Sequence, residues 1–497
     1  MTKDIKQMID KLTIEKRAFI DGSFVKSVNG KTIRKVSPVD GTNLSGLCAC
    51  CARDINKAVA AAKKSFESKI WRNKQTEEKK EILFKLADLM EQNRERLALL
   101  DTVETGRAFK NYFYDSIPKA FEALRYFTES LDKYYDYAMP PKNNSFAVIT
   151  REPLGVVGII TPWNDPLVVS TWKFAPALLM GNSVVIKPAE QSSFSILEVA
   201  RLAKQAGIPD GVFNVVPGYG EIAGKALAMH KDVAGIFFTG SSEVGKMILQ
   251  YAGQSNIKKV GLECGGKSPF IISKKCNDLK RAASVLAKNI FYNQGQICSA
   301  PSRVIVHHEL KRKLIDYLKS ESVKYIPDDP MNINSDVGCV VSKQQKDKIE
   351  RYIKQGIKTG ATLITPPPNK WFSTKKRMAV LPSIFTDVDL DSSIVKEEIF
   401  GPVLVVIGFD TIQEAIDIAN HSRYGLAASI WTDDLKEAYY VSRNLQAGIV
   451  HVNGYGNDDN TAPFGGIKES GIGKDKSIFA FDEYSYLKTT WIDFSHR

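Results

Sequence analysis

From about residue 145 the chain settles into one repeating texture, and that texture limits the folds open to it. Apolar runs of four to eight residues, "GVVGIITP", "NSVVIKP", "VFNVVPG" and "VAGIFFTG", are each stopped by Gly or Pro. Helical stretches such as "QSSFSILEVARLAKQAG" lie between them. Short β runs alternating with helices predict a parallel sheet covered on both faces. A second block of the same kind starts near 262, with "SPFIIS", "SRVIVHH" and "GPVLVVIGF" as strands. Its helices are "HELKRKLIDYLKSES" and "SKQQKDKIERYIKQG". Before residue 130 the pattern is mostly helical, and "TEEKKEILFKLADLMEQNRERLALLDTVETG" reads as one amphipathic run ending at Gly106. The terminal "SYLKTTWIDF" reads as a strand set apart from both blocks, ready to pair with another element or subunit.

At 497 residues the chain exceeds a single hydrophobic core, so two or three domains are expected. No apolar run approaches the roughly 20 residues of a membrane span. The N-terminal "MTKDIKQMIDKLTIEKRAF" is charged throughout and lacks the apolar centre of a secretory signal, so a cytoplasmic protein is expected. The net charge of +12 is carried by Lys pairs mixed with acidic residues, not by a basic stripe with aromatics. That pattern describes solvated helix faces and no nucleic-acid partner. The seven cysteines are Cys48, Cys50, Cys51, Cys264, Cys276, Cys298 and Cys339, an odd number that argues against a disulfide framework. "CACC" at 48–51 has no second Cys or His pair, and the six His show no HExxH pattern, so no metal is expected.

Several stretches could carry chemistry. "GYGEIAG" at 218–224 has one residue too many for GxGxxG. "FFTGSSEVGK" at 237–246 follows a strand and opens a helix whose first N–H groups could face a pyrophosphate. It equally fits an ordinary strand–helix turn. "VVIKPAEQSS" places Lys187 and Glu190 just past a strand end, where open α/β sheets bind ligands. A carboxylate there accepts ribose hydroxyls and favours NAD over a 2′-phosphate carrier. "TPWNDP" sets Asn164 between two prolines, "GLECGGKSP" sets Glu263 before a Gly pair, and "NQGQICSAPSR" supplies Cys298. Each alone also fits a structural role, and free Cys is commonly buried and inert.

In this order and spacing, "FIDGSFV", "ETGR", "PWNDP", "WKFAPALLMGNSVVIKPAE", "FTGSSEVG", "LECGGKSP", "NQGQICSA", "EEIFGPV", "YGLAASIWT" and "PFGGIKESGIGKD" resemble the NAD(P)-dependent aldehyde dehydrogenases over nearly the whole chain. The resemblance implies a Rossmann-like parallel-sheet cofactor domain, an α/β catalytic domain and a small β oligomerisation element. The boundaries it suggests are 1–130 with 154–261 for NAD binding, 262–465 for catalysis, and 131–153 with 466–497 for oligomerisation as a homodimer or homotetramer. It implies Cys298 as nucleophile, Asn164 as oxyanion donor and Glu263 as general base. For NAD, with some NADP use, it implies Thr161, Trp163, Lys187, Glu190, Gly220, Gly240, Ser241, Val244, Glu398 and Phe400. Two rival readings are a CoA-acylating semialdehyde dehydrogenase and a non-catalytic binding protein on this fold. Retention of Glu263 speaks against the first, and the full set of three catalytic residues against the second.

The departures from the family pattern bear on substrate. Position 264, usually Leu, is Cys264, a second thiol beside the site that raises oxidative inactivation. The residue after Asn164, usually aromatic, is Asp165. By family analogy Asp165, Trp172, Ile297, Ser299, Asp458, Asp459 and Phe464 line the substrate tunnel. Three carboxylates there would favour a cationic or strongly polar aldehyde. "NGYGNDDNTAPFGG", "GKDKS" and "LKTTWI" are similar to the subgroup acting on γ-glutamyl-γ-aminobutyraldehyde and related aminoaldehydes.

Overall fold

The structure is a computed structural model and describes residues 12–374, 378–456 and 459–495. The first block of alternating runs forms an eight-stranded sheet. Its order is Ser23–Val25, Ala18–Ile20, Phe213–Val215, Ser183–Lys187, Val156–Ile160, Gly235–Thr239, Lys259–Glu263 and Gly471–Ile472. The five central strands are parallel, and the outer pairings are antiparallel. Val156–Ile160 and Ser183–Lys187 are buried along their whole length, as strands covered on both faces must be. Strand order reverses between Val156–Ile160 and Gly235–Thr239, which opens a crevice at the carboxyl ends of those strands.

The second block forms a seven-stranded sheet. Its order is Thr362–Ile364, Ser383–Thr386, Val403–Phe409, Arg303–His307, Pro269–Ile272, Ala427–Trp431 and Ile449–Val452, parallel except at its first pair. A third sheet joins Ser485–Asp493 to Ser145–Pro153 over nine antiparallel pairs, with Tyr137–Ala138 on the far edge. The terminal strand therefore does pair with the segment near 150.

Two local features differ from the sequence expectation. The region before 130 also holds a hairpin, Ala18–Ile20 with Ser23–Val25, which edges the first sheet. Its turn is Asp21–Gly22, both at positive φ (49° and 72°), the geometry that suits Asp-Gly between strands. The long helical run is two helices, Thr76–Gln92 and Arg94–Thr105. Asn93 breaks it by turning its side-chain amide back onto the Leu89 carbonyl. Gly106, at φ 78°, ends the second helix in the left-handed conformation.

Candidate active site

Four of the five central strands of the first sheet deliver their candidates to one edge. Val156–Ile160 runs into Thr161, Trp163 and Asn164, and Ser183–Lys187 into Lys187 and Glu190. Gly235–Thr239 runs into Gly240 and Ser241, and Lys259–Glu263 ends on Glu263 itself. Backbone bonds lace these ends together: Thr161 N–H donates to the Lys187 carbonyl at 3.2 Å and Gly240 N–H to that of Glu263 at 3.0 Å.

Cys298 arrives from the second sheet, on the loop between the helix Leu279–Phe291 and the strand Arg303–His307. That loop is wound tightly, with Asn293, Gln294 and Gly295 in succession at φ 49°, 55° and 66°. Its amides fix it: Gln294 Oε1 accepts from Val380 N–H at 2.8 Å, and Gln296 Oε1 from Val341 N–H at 3.0 Å. Gly295 sits where a Cβ would lie 2.1 Å from the Gly401 carbonyl oxygen, so no larger residue fits. The polar residues around Cys298 therefore build the loop that presents it.

The three catalytic candidates converge. Asn164 Nδ2 donates to the Gln296 carbonyl at 3.0 Å, and Asn293 Nδ2 to the Asn164 carbonyl at 3.4 Å. A Cβ on Gly266 would stand 2.6 Å from the Cys298 carbonyl oxygen, so the Glu263 loop lies directly against the Cys298 loop. A Cβ on Gly465 would stand 2.3 Å from Glu263 Oε1, which brings the 464–466 segment onto the same carboxyl.

Electrostatically this is a site that resists charging. Glu263 is buried with neither oxygen hydrogen-bonded among the described residues. Its pKa is held well above the carboxylate range by burial first and by Asp475 next, against the opposing pull of Lys173 and Lys474. The Cys298 thiol, part-exposed in the cleft, is pushed up by desolvation and then by the Glu263 and Glu398 carboxyls. A raised carboxyl that must act as a base works only once its proton has left. Deacylation is therefore expected to keep quickening with pH, by about tenfold per unit, beyond the ordinary glutamate range. Single-turnover decay of the acyl-enzyme measures this; a rate already level above about pH 5, the ordinary glutamate range, would contradict it.

The cofactor candidates form a second group. Ser241 caps the helix Ser242–Ser255, its Oγ accepting from Val244 N–H at 3.3 Å. Val244 is exposed on the first turn of that helix, and Gly220 opens onto empty space. Lys187 Nζ donates to Glu190 Oε2 at 3.1 Å, while Lys35, ion-paired with Glu104 in the core, donates to the Glu190 backbone carbonyl at 3.0 Å. Glu398 accepts Gly266 N–H at 3.0 Å and has its pKa pushed up to about 7 by burial. Phe400, at φ 58°, meets Trp163 edge-on at 5.2 Å between ring centroids. Thr161 Oγ1 and Thr239 Oγ1 lie buried at this edge without a hydrogen-bond partner among the described residues. Open glycine, an exposed apolar platform, a carboxylate and orphaned hydroxyls suit a dinucleotide, whose ribose and phosphate groups need such donors and acceptors.

The aldehyde dehydrogenase family model matches residues 24–490. The chain belongs to the aldehyde dehydrogenase family. Over 97% of its length it is 42% identical to the NADP/NAD-dependent aldehyde dehydrogenase PuuC of Escherichia coli (strain K12), covering 96% of that protein. It is 41% identical to an aminoacetaldehyde dehydrogenase of Pseudomonas aeruginosa, with 97% of each chain covered. Among solved structures, a γ-glutamyl-γ-aminobutyraldehyde dehydrogenase of Burkholderia cenocepacia J2315 is 43% identical, with a TM-score of 0.95 and 99% of both chains covered. A P. syringae indole-3-acetaldehyde dehydrogenase in complex with NAD+ matches with 43% identity, a TM-score of 0.97 and the same coverage. This aldehyde dehydrogenase is therefore an NAD(P)-dependent enzyme that oxidises aldehydes to acids, on the fold expected from its sequence.

Not every expectation about the dehydrogenase's tunnel survives its geometry. Asp165, expected to offer a charge to substrate, has its Oδ2 bound by Arg107 Nη1 at 3.1 Å and Ser116 Oγ at 3.2 Å. Its charge is already balanced. Asp458 lies outside the described residues, and Asp459 is exposed, with Oδ1 accepting Thr461 N–H at 2.7 Å. Trp172 and Phe464 do face each other, at 5.4 Å, and Lys476 Nζ stands over both rings at 5.2 and 5.7 Å. Ile297 and Ser299 flank Cys298, both part-exposed. Cys264 lies beneath the first turn of the Ser242–Ser255 helix, where a Cβ on Gly245 would meet its Sγ at 2.7 Å. Burial pushes its thiol up to about 12, which leaves it protonated and a poor target for oxidation.

Sequence reasoning misses other residues that shape the site. Lys173 and Asp475 form a buried ion pair at 2.8 Å beside Glu263. Arg107 stands within the "ETGR" motif, whose spacing alone points to no chemistry.

Proposed function

We propose that Cys298 gives up its thiol proton to solvent in the cleft and, as thiolate, attacks the aldehyde carbon, while the Asn164 amide and the Cys298 backbone N–H hold the oxyanion. Losing one such donor typically costs roughly 100- to 1000-fold in rate. Glu190, Lys187, the Ser242–Ser255 helix start and Glu398 would hold NAD, which when bound would supply the hydride acceptor for the oxidation. The acyl group is then a thioester on Cys298, and Glu263 takes a proton from the water that hydrolyses it. The observation that carries this reading is the contact of two loops from different sheets: Gly266 against the Cys298 carbonyl, with Asn164 bound to Gln296 beside them. A buried base next to the nucleophile supports hydrolysis over transfer to CoA, which needs none.

The substrate is a polar aldehyde, in our reading an aminoaldehyde. The relatives named for aminoacetaldehyde and γ-glutamyl-γ-aminobutyraldehyde support it. With Asp165 committed to Arg107, the charge selection falls to the 458–459 loop. A panel of cationic, neutral and acidic aldehydes with NAD and NADP tests this through kcat/KM. Asp459→Ala should raise KM for aminoaldehydes more than for neutral ones, since the lost charge attracts only a cation; equal effects on both would defeat the charge argument.

The exposed Tyr486, Leu487 and Trp491 on the strand Ser485–Asp493 support its use as a subunit interface, in a dimer or tetramer. Seven cysteines outside any disulfide are consistent with work in the reducing cytoplasm.

A further inference from the structure

The turn carrying Asn164 and the loop carrying Cys298 belong to different sheets. Their direct bonds, to the Gln296 carbonyl and from Asn293, run through Asn164 itself, the group whose amide must be available to substrate. One side chain grips both Asp165, next to Asn164, and Tyr292, at the start of the Cys298 loop. Arg107 Nη1 donates to Asp165 Oδ2 at 3.1 Å, and Nη2 donates to the Tyr292 hydroxyl at 2.6 Å. The Tyr292 hydroxyl donates onward to Asp115 Oδ2 at 3.0 Å, and Asp115 pairs with Lys119 at 2.7 Å. The guanidinium is 3% exposed and sits over the rings of Tyr112 and Tyr292, each 4.9 Å away.

The backbone beneath Arg107 is itself anchored. Gly106, at φ 78°, accepts Cys339 N–H, and Phe109 N–H donates to the Pro330 carbonyl at 2.9 Å. A buried planar fork with two donors on two different loops is what guanidinium provides and a point-charge ammonium does not. We propose that Arg107 is a positioning residue for the reaction: it locks the Asn164 turn to the Cys298 loop through Asp165 and Tyr292. This rests on the reading of Asn164 as oxyanion donor and Cys298 as nucleophile. The clamp sets the distance between the two, and a displacement near 1 Å at a reacting centre costs about 100-fold in rate.

The test is a double-mutant cycle of Arg107→Met with Asn164→Ala, with active sites counted by the stoichiometry of NAD binding. Arg107→Met alone should lower kcat per active site by about 10- to 100-fold for every aldehyde, with KM changed by less than about threefold. Arg107→Lys, keeping one grip, should recover part of that loss. In the Asn164→Ala background the same Arg107→Met change should cost less than about twofold, because the group it positions is gone. Equal fold-losses in both backgrounds would overturn the clamp, as would a lowered Tm with unchanged kcat per active site. A KM rise confined to charged aldehydes would make Arg107 a substrate contact instead and also overturn it. If Arg107→Met fails to fold, Tyr292→Phe removes one grip and should show the same coupling to Asn164→Ala with a smaller loss, about 3- to 10-fold. The failures separate cleanly: Asn164→Ala with full kcat sinks the oxyanion reading itself, whereas a large Asn164→Ala loss that multiplies with Arg107→Met sinks only the clamp.

Discussion

Cys298→Ala is expected to lower aldehyde-dependent NADH formation by about 10⁴-fold or more, the scale on which removal of a nucleophile acts. NAD affinity should stay within about twofold, since the cofactor candidates, on the first sheet's edge and on the segment with Glu398 and Phe400 that leads into the second sheet, do not include the thiol. Absorbance assays and calorimetry with NAD measure the two quantities. The thiols of Cys264, Cys276 and Cys339 are no substitute. Cys264 stands closest in sequence to the site, but it is packed beneath the cofactor-side helix with its thiol pushed up to about 12. Cys276 and Cys339 are buried as well. Substantial turnover in the alanine variant would mean that the carbonyl is attacked by something else.

Glu263→Gln separates the two halves of the reaction. The amide keeps the size of the buried side chain but cannot take a proton from water. Oxidation should proceed once, giving a burst of about one NADH per active site, and then stall at a steady rate about 100- to 10,000-fold lower. The rise of deacylation with pH should vanish with it. Hydroxylamine, which attacks thioesters without a base, should restore part of the turnover. Stopped-flow absorbance reads the burst directly. A variant that shows no burst, with oxidation slowed as much as hydrolysis, would place Glu263 earlier, as the group that deprotonates Cys298.

The cofactor edge was legible in the sequence for a physical reason. Strands buried on both faces must be unbroken apolar runs, and ligands bind at the carboxyl ends of such strands. Reading where "SVVIK" stops was enough to place Lys187 and Glu190 at such an edge. Asn93 hid its break because the apolar spacing continues across it, and only a side chain folded back on the Leu89 carbonyl interrupts the helix. The polar contacts of the site left no such trace. Arg107 reaches Asp165 across 58 positions and Tyr292 across 185, and Lys173 reaches Asp475 across 302. No periodicity encodes a bond between side chains from different sheets. At Asp165 the consequence is plain: its charge is visible in the sequence, while the arginine that balances it is visible only in the fold.

The most direct measurement is the mass of the peptide containing Cys298 after Glu263→Gln enzyme has been mixed with NAD and aldehyde and acid-quenched at the end of its burst. The peptide should carry the acyl group of the aldehyde, on the sulfur, in amount equal to the NADH released. NADH formed in full while that peptide keeps its unmodified mass would contradict covalent catalysis at Cys298.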